Sequence, residues 1–97
     1  MIRIVNLRNL KDLKFGEVVI RVDRRSPLGN PFHMRYESER DKVCDQYEAW
    51  LPTVKDRPDI AQALDDIREY ALENDVALAC WCYPKRCHAE SIIKILG

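Results

Sequence analysis

Ninety-seven residues, 46% hydrophobic and 33% charged with a formal net charge of zero, describe one ordinary globular domain over residues 1–97, not a disordered chain. A chain of this size buries roughly two-thirds of its unfolded surface, enough for a single core. No apolar run reaches the roughly 18–20 residues of a membrane span and no signal peptide opens the chain, so a cytoplasmic protein without a membrane partner is expected.

The chain opens on Ile2-Arg3-Ile4-Val5-Asn6-Leu7, a short stretch rich in β-branched residues that reads as a strand. Leu10 to Phe15 is ambiguous, and Gly16 breaks it. Glu17 to Asp23 alternates, with Val18, Ile20 and Val22 on one face, and reads as a second strand. Arg24 to Phe32 holds Ser-Pro-Leu-Gly-Asn-Pro-Phe, a loop of demanding backbone geometry: the residue before proline is driven toward extended conformation, and glycine permits positive φ.

Ser38-Glu39-Arg40-Asp41 has the spacing of a capping box with Ser38 as the cap. The helix that follows spaces Val43, Tyr47, Trp50 and Leu51 as core positions, and Pro52 is expected to end it. Pro58 suits a second helix start, with Ile60, Leu64, Ile67 and Ala71 on one face and Asn74 as terminator. The nearly continuous apolar run from Val76 to Cys82 is the signature of a strand buried on both faces, hence central and parallel to at least one neighbour. Pro84 interrupts it. Ala89 to Leu96 forms a last short helix with Ile92, Ile93 and Leu96 inward. The order β-β-α-α-β-α gives a small α/β sandwich with a sheet of three or four strands.

Charge is unevenly spread. Residues 1–36 carry 8 basic and 3 acidic side chains, residues 37–76 carry 5 and 12, and residues 77–97 carry 3 and 1. A nucleic-acid partner, which wants a net basic domain or stripe, is not favoured. Basic ends that meet in space would instead build a local anion site.

Two segments carry chemistry. Cys80-Trp81-Cys82-Tyr83-Pro84-Lys85-Arg86-Cys87-His88-Ala89 leaves a buried strand and enters a helix, and ligands of open α/β sheets bind beyond the carboxyl ends of strands. There the free N–H groups of the helix start favour an anion, and Lys85, Arg86 and His88 add positive charge. Cys87, at that helix start beside His88, is also a candidate nucleophile, with His88 a candidate acid/base. Cys80, Cys82, Cys87 and His88 have the chemistry of a four-ligand zinc site but lack the two-residue gap of a zinc knuckle. No metal or cofactor is assigned on that spacing. Cys80 reads as a core thiol, and Trp81 as a core or pocket-wall residue.

In the second segment Arg24, Arg25 and Ser26 supply donors at the entry of the rigid loop around Gly29 and Asn30. Arg40, a cation in the first turn of a helix, calls for a salt bridge to Glu37 or Glu39, or for a bound anion. His33 reads as a surface or rim residue. Asp65, Asp66, Glu69 and Glu73 around the second helix read as a solvated face, or as the surface of an interaction protein.

Arg25-Ser26-Pro27-Leu28-Gly29-Asn30-Pro31-Phe32, then Arg40, Tyr47 and Trp50-Leu51, then Cys80-Trp81-Cys82 and Cys87-His88-Ala89, resembles the domain-of-unknown-function 4326 family, small proteins of bacteria and often of phages. The resemblance spans roughly residues 3 to 96. It implies a compact Rossmann-type α/β domain in which the Ser26–Phe32 loop and the Cys82–His88 turn line one pocket. The spacer Tyr83-Pro84-Lys85-Arg86 is more basic than the family pattern suggests, which favours an anionic guest.

The expected function is a pocket protein for a nucleotide-related or other phosphorylated small molecule. Arg25, Ser26, Gly29, Asn30, Arg40, Cys82, Cys87 and His88 are the expected ligand-binding residues. An enzyme cleaving a glycosidic or phosphate bond on the same pocket through His88 or Cys87, and a phage factor occupying a host protein, are the alternatives.

Overall fold

The computed structural model describes all residues 1–97. Three strands, β1 (Ile2–Asn6), β2 (Val18–Arg21) and β3 (Val76–Cys80), form one sheet in the order β1-β3-β2. Both pairings are parallel, with Ile2, Ile4 and Asn6 opposite Val76, Leu78 and Cys80, and with Val18 and Ile20 opposite Val76 and Leu78. The apolar run at 76–80 therefore lies in the centre of the sheet, and every residue of it is buried. Three helices complete the chain: α1 (Arg40–Val54), α2 (Pro58–Glu73) and α3 (Ala89–Leu96).

The period-2 alternation divides the sheet into two faces. Val22, Val76, Leu78 and Cys80 join Tyr47 and Leu51 of α1, Ile60, Leu64 and Ile67 of α2, and Ile92 of α3 in one core. Each such side chain contributes about 1.5–3 kcal/mol relative to exposure. On the opposite face Val5, Ala77 and Ala79 are covered by Leu7, Leu13 and Val19. All three helices thus contribute to the core on one face, while the connection from β1 to β2 covers the other. This is a two-layer α/β arrangement, not a sheet with helices on both sides. The Arg3 guanidinium pins the connection by donating to both Glu17 carboxylate oxygens at 2.7 Å and to the Asp12 carbonyl.

Several boundaries differ from those the sequence suggests. Ser38 does not cap α1; it lies in a single 3-10 turn, Glu37–Glu39. The Glu39 carboxylate instead accepts the N–H groups of Arg35 and Tyr36, two residues upstream of the expected box. Pro52 sits inside the last turn of α1, which continues to Val54, with the Thr53 hydroxyl donating to the Trp50 carbonyl. The central strand stops at Cys80, because Asn6 at the end of β1 donates its side-chain amide to the carbonyls of Trp81 and Tyr83 and draws them out of the ladder. Trp81 is therefore 52% exposed and no core residue. The Tyr83–Pro84 peptide in this turn is cis.

Candidate functional site

The carboxyl ends of β2 and β3 lie side by side, and the chain leaves each through one of the two motif segments. Between them opens a cavity of about 410 Å³, at the edge where parallel sheets carry their ligand sites. Arg25, Asn30, Arg40, Cys82, Cys87 and His88 all contribute to its wall; Ser26 and Gly29 do not. The wall is completed by Asp23, Arg24, Phe32, Met34, Val43, Cys44, Cys80, Trp81 and Arg86.

Much of the proline-rich loop is occupied in holding itself in place. The Ser26 hydroxyl accepts the Leu28 N–H at 3.1 Å and closes a local turn. A Cβ on Gly29 would stand 2.6 Å from both the Arg24 Cα and the Asp23 carbonyl oxygen, and the left-handed region is not used there. Gly29 is present for space, not for φ. Asn30 accepts the Phe32 N–H at 2.8 Å and donates to the Val43 carbonyl of α1 at 3.2 Å. Buried Tyr47 donates to the Leu28 carbonyl at 2.7 Å, fastening the loop a second time.

His88 has a similar role. Its Nε2 faces the Val22 carbonyl, an acceptor only, so that nitrogen carries the proton and donates. Nδ1 is then the acceptor, 3.4 Å from Cys87 Sγ. Burial pushes the ring's pKa below its ordinary value and keeps it neutral. It packs edge-on against Tyr47 with ring centroids 5.0 Å apart. Both ring nitrogens are engaged within the protein, so the imidazole joins loop, strand and helix.

The expected anion position at the start of α3 is already filled. Glu90, in the first turn, accepts the Cys87 N–H at 3.1 Å, and the Ala89 N–H points to Cys87 Sγ. The cations expected there are likewise paired: Lys85 with Glu37, and Arg86 with Asp41 and Asp45 of the first helix region. Arg40 forms the predicted bridge to Glu37, a two-pronged contact at 2.6 and 2.9 Å, and also donates to the Arg86 carbonyl. The acidic face of α2 is partly satisfied too, since Asp65 takes Arg68 and Asp66 takes Gln62.

Positive charge without a partner stands on the other side of the cavity. Arg24 and Arg25, exposed at its rim, enter no ion pair and no side-chain hydrogen bond. Beside them Asp23, at the carboxyl end of β2, is buried and ionised: the Arg21 guanidinium, and then the Trp81 indole N–H, hold its carboxyl below the usual range. The 3.1 Å bond from Trp81 Nε1 to Asp23 fixes the exposed indole at the mouth. Asp23 is not among the expected site residues; its signal in the sequence is a carboxylate placed directly after the Val18–Val22 alternation, where the strand gives way to the proline-rich loop.

The thiols are distributed unequally. Cys80 and Cys87 are buried, with sulfurs 3.0 Å apart. Cys82 is half-buried and shares the cavity wall with them and with Arg40. Hydrogen bonds from Cys80 and Cys87, and then from Arg40, pull the Cys82 thiol far below its ordinary pKa, whereas its two neighbours and burial push Cys87 up. Cys44 lies apart, its pKa raised by burial.

Fold and site together define a small two-layer α/β protein whose principal cavity lies at the carboxyl edge of a parallel sheet. The chain matches the profile of the family described as Domain of unknown function (DUF4326) over residues 5–97, and it belongs to that family. No curated protein and no solved structure matches it. No helix is long and apolar enough to cross a membrane.

Proposed function

We propose that this protein binds a nucleotide-related or other phosphorylated small molecule in the cavity between the 26–32 loop and the 82–88 turn. The observation that carries the reading is the pair Arg24 and Arg25, unpartnered at the rim of a cavity whose other charged groups, Asp23, Arg40 and Arg86, are paired within the protein. Guanidinium groups bind phosphate oxygens through two parallel N–H donors. The exposed Trp81 indole, oriented by Asp23, offers a face on which a base stacks. A volume of about 410 Å³ falls within the range of small-molecule sites. Four free thiols suit a reducing compartment, and we place the protein in the cytoplasm.

Thermal denaturation with AMP, adenosine and inorganic phosphate tests the reading. A ligand at a hundredfold excess over Kd stabilises by about 2.7 kcal/mol, and about 4–8 °C of Tm corresponds to each kcal/mol at this size. AMP is expected to raise Tm and adenosine to do less. The double variant R24S/R25S, altered only at exposed unpaired side chains, should keep the unliganded Tm and lose the AMP shift. No shift with any of the three, or a full shift in the double variant, would contradict the proposal.

A further inference from the structure

A second, smaller cleft adjoins the cavity along the proline-rich loop. Arg24 and Asn30, which line the cavity, also line this cleft of about 260 Å³, together with Gly29, Pro31 and His33. Its shape follows from Gly29. With no Cβ, the Gly29 backbone lies so close to the Arg24 Cα and the Asp23 carbonyl that a Cβ would stand 2.6 Å from each. That approach sets Arg24 against the loop, so that one guanidinium borders both spaces. Asn30 is held by the Phe32 N–H and the Val43 carbonyl, and the wall between them is therefore rigid before any ligand arrives.

The cleft has the chemistry of an anion site. No carboxylate stands in its wall, and Pro31 is its one apolar side chain. The Arg24 guanidinium and the His33 imidazole are both exposed, and neither enters an ion pair or a side-chain hydrogen bond. A guanidinium carries five N–H donors, enough to serve one phosphoryl group in each space, and an imidazole adds a further donor. We propose that the cleft is a second anion subsite, lined by Arg24 and His33, which takes a second phosphoryl group of the cavity's ligand. The preferred ligand is then a nucleotide with two phosphoryl groups, the first held by Arg25 and Arg24 and the second by Arg24 and His33. This inference rests on the reading of the cavity as a site for a phosphorylated ligand, and adds to it the class of ligand. A hydrogen bond to a charged group is worth about tenfold in affinity, so the second phosphoryl group should tighten binding by about that factor.

The test is isothermal titration calorimetry of the full chain, without divalent cations, against AMP, ADP and adenosine 3′,5′-bisphosphate. One of the two doubly phosphorylated nucleotides is expected to bind about tenfold tighter than AMP. A gain with ADP places the second phosphoryl group in line with the first, and a gain with the 3′,5′-bisphosphate places it across the ribose; either supports the subsite. His33→Ala, altered at an exposed side chain without a partner, should keep the fold and bring that tighter nucleotide to within about twofold of AMP. AMP itself should bind the variant and the wild-type protein equally. AMP binding with no gain from either second phosphoryl group, or a gain that survives His33→Ala, would overturn the subsite and leave the cavity reading standing. No binding of any of the three nucleotides would overturn both.

Discussion

Substituting alanine for Gly29 isolates the claim that the proline-rich loop is shaped by packing. The new Cβ would lie 2.6 Å from the Arg24 Cα and the Asp23 carbonyl, both backbone atoms, so the two segments must part by about 0.8 Å to regain ordinary contact. Overpacking of this kind costs about 1–3 kcal/mol. Alanine returns about 0.4–1 kcal/mol by restricting the unfolded chain. The balance is a loss of about 1–2 kcal/mol, or a fall in Tm of about 5–15 °C for a domain of this length. Urea denaturation followed by far-UV circular dichroism reads it as a lower midpoint at unchanged slope. Because the displaced atoms belong to Asp23 and Arg24, the variant should also respond less to AMP. A variant as stable as wild type, with the cavity unaltered, would show that the close approach is not real and that Gly29 has another purpose.

Other consequences follow from the same contacts. Tyr47→Phe removes the donor to the buried Leu28 carbonyl and should cost about 1–3 kcal/mol in urea denaturation, with the loop's backbone amides exchanging faster. Since burial holds the folded His88 ring below its ordinary pKa of 6.5, the unfolded chain takes up the proton first. The corresponding stability is complete above about pH 6.5 and declines as pH is lowered. His88→Gln, which keeps a donor for the Val22 carbonyl, should flatten urea midpoints measured from pH 7.5 to 5. Glu17, hydrogen-bonded by Arg3, has its carboxyl lowered from 4.5 to about 2, so its contribution is full above pH 4.5 and is lost as pH falls toward 2. An acid titration of stability should be shallower in that window for Glu17→Gln.

What the sequence made legible depended on whether the cause was local. The central place of β3 is written in Val76–Cys80, because only a strand covered on both sides and both edges tolerates so unbroken an apolar run. The alternation at Val18, Ile20 and Val22 likewise names its inner face. Where a partner lies far along the chain, the reading shifts. Trp81 continues the apolar pattern, and only the Asn6 amide, 75 residues away, shows why the strand stops before it. Asn30 and His88 suggest ligand residues in the sequence, because polar side chains in a turn suggest a guest. Their partners are the backbone carbonyls of Val43 and Val22, and no backbone partner is visible in a sequence. Lys85 and Arg86 looked like an anion site until Glu37, Asp41 and Asp45 supplied their counter-charges across the fold. Arg24 and Arg25, expected as donors at the loop's entry, have no counter-charge.

The most direct measurement is a titration of isotopically labelled protein with AMP, followed by amide and indole N–H resonances. The indole proton of Trp81, bonded to Asp23, reports on the cavity mouth, while that of Trp50, packed against Phe32 and Tyr47, serves as an internal control. Saturable shifts confined to the Trp81 indole, the amides of Asp23 to Arg25 and the Cys82 turn, absent in R24S/R25S, are predicted. Resonances that stay fixed at millimolar AMP, or that move at the acidic face of α2 instead, would contradict a phosphorylated ligand in this cavity.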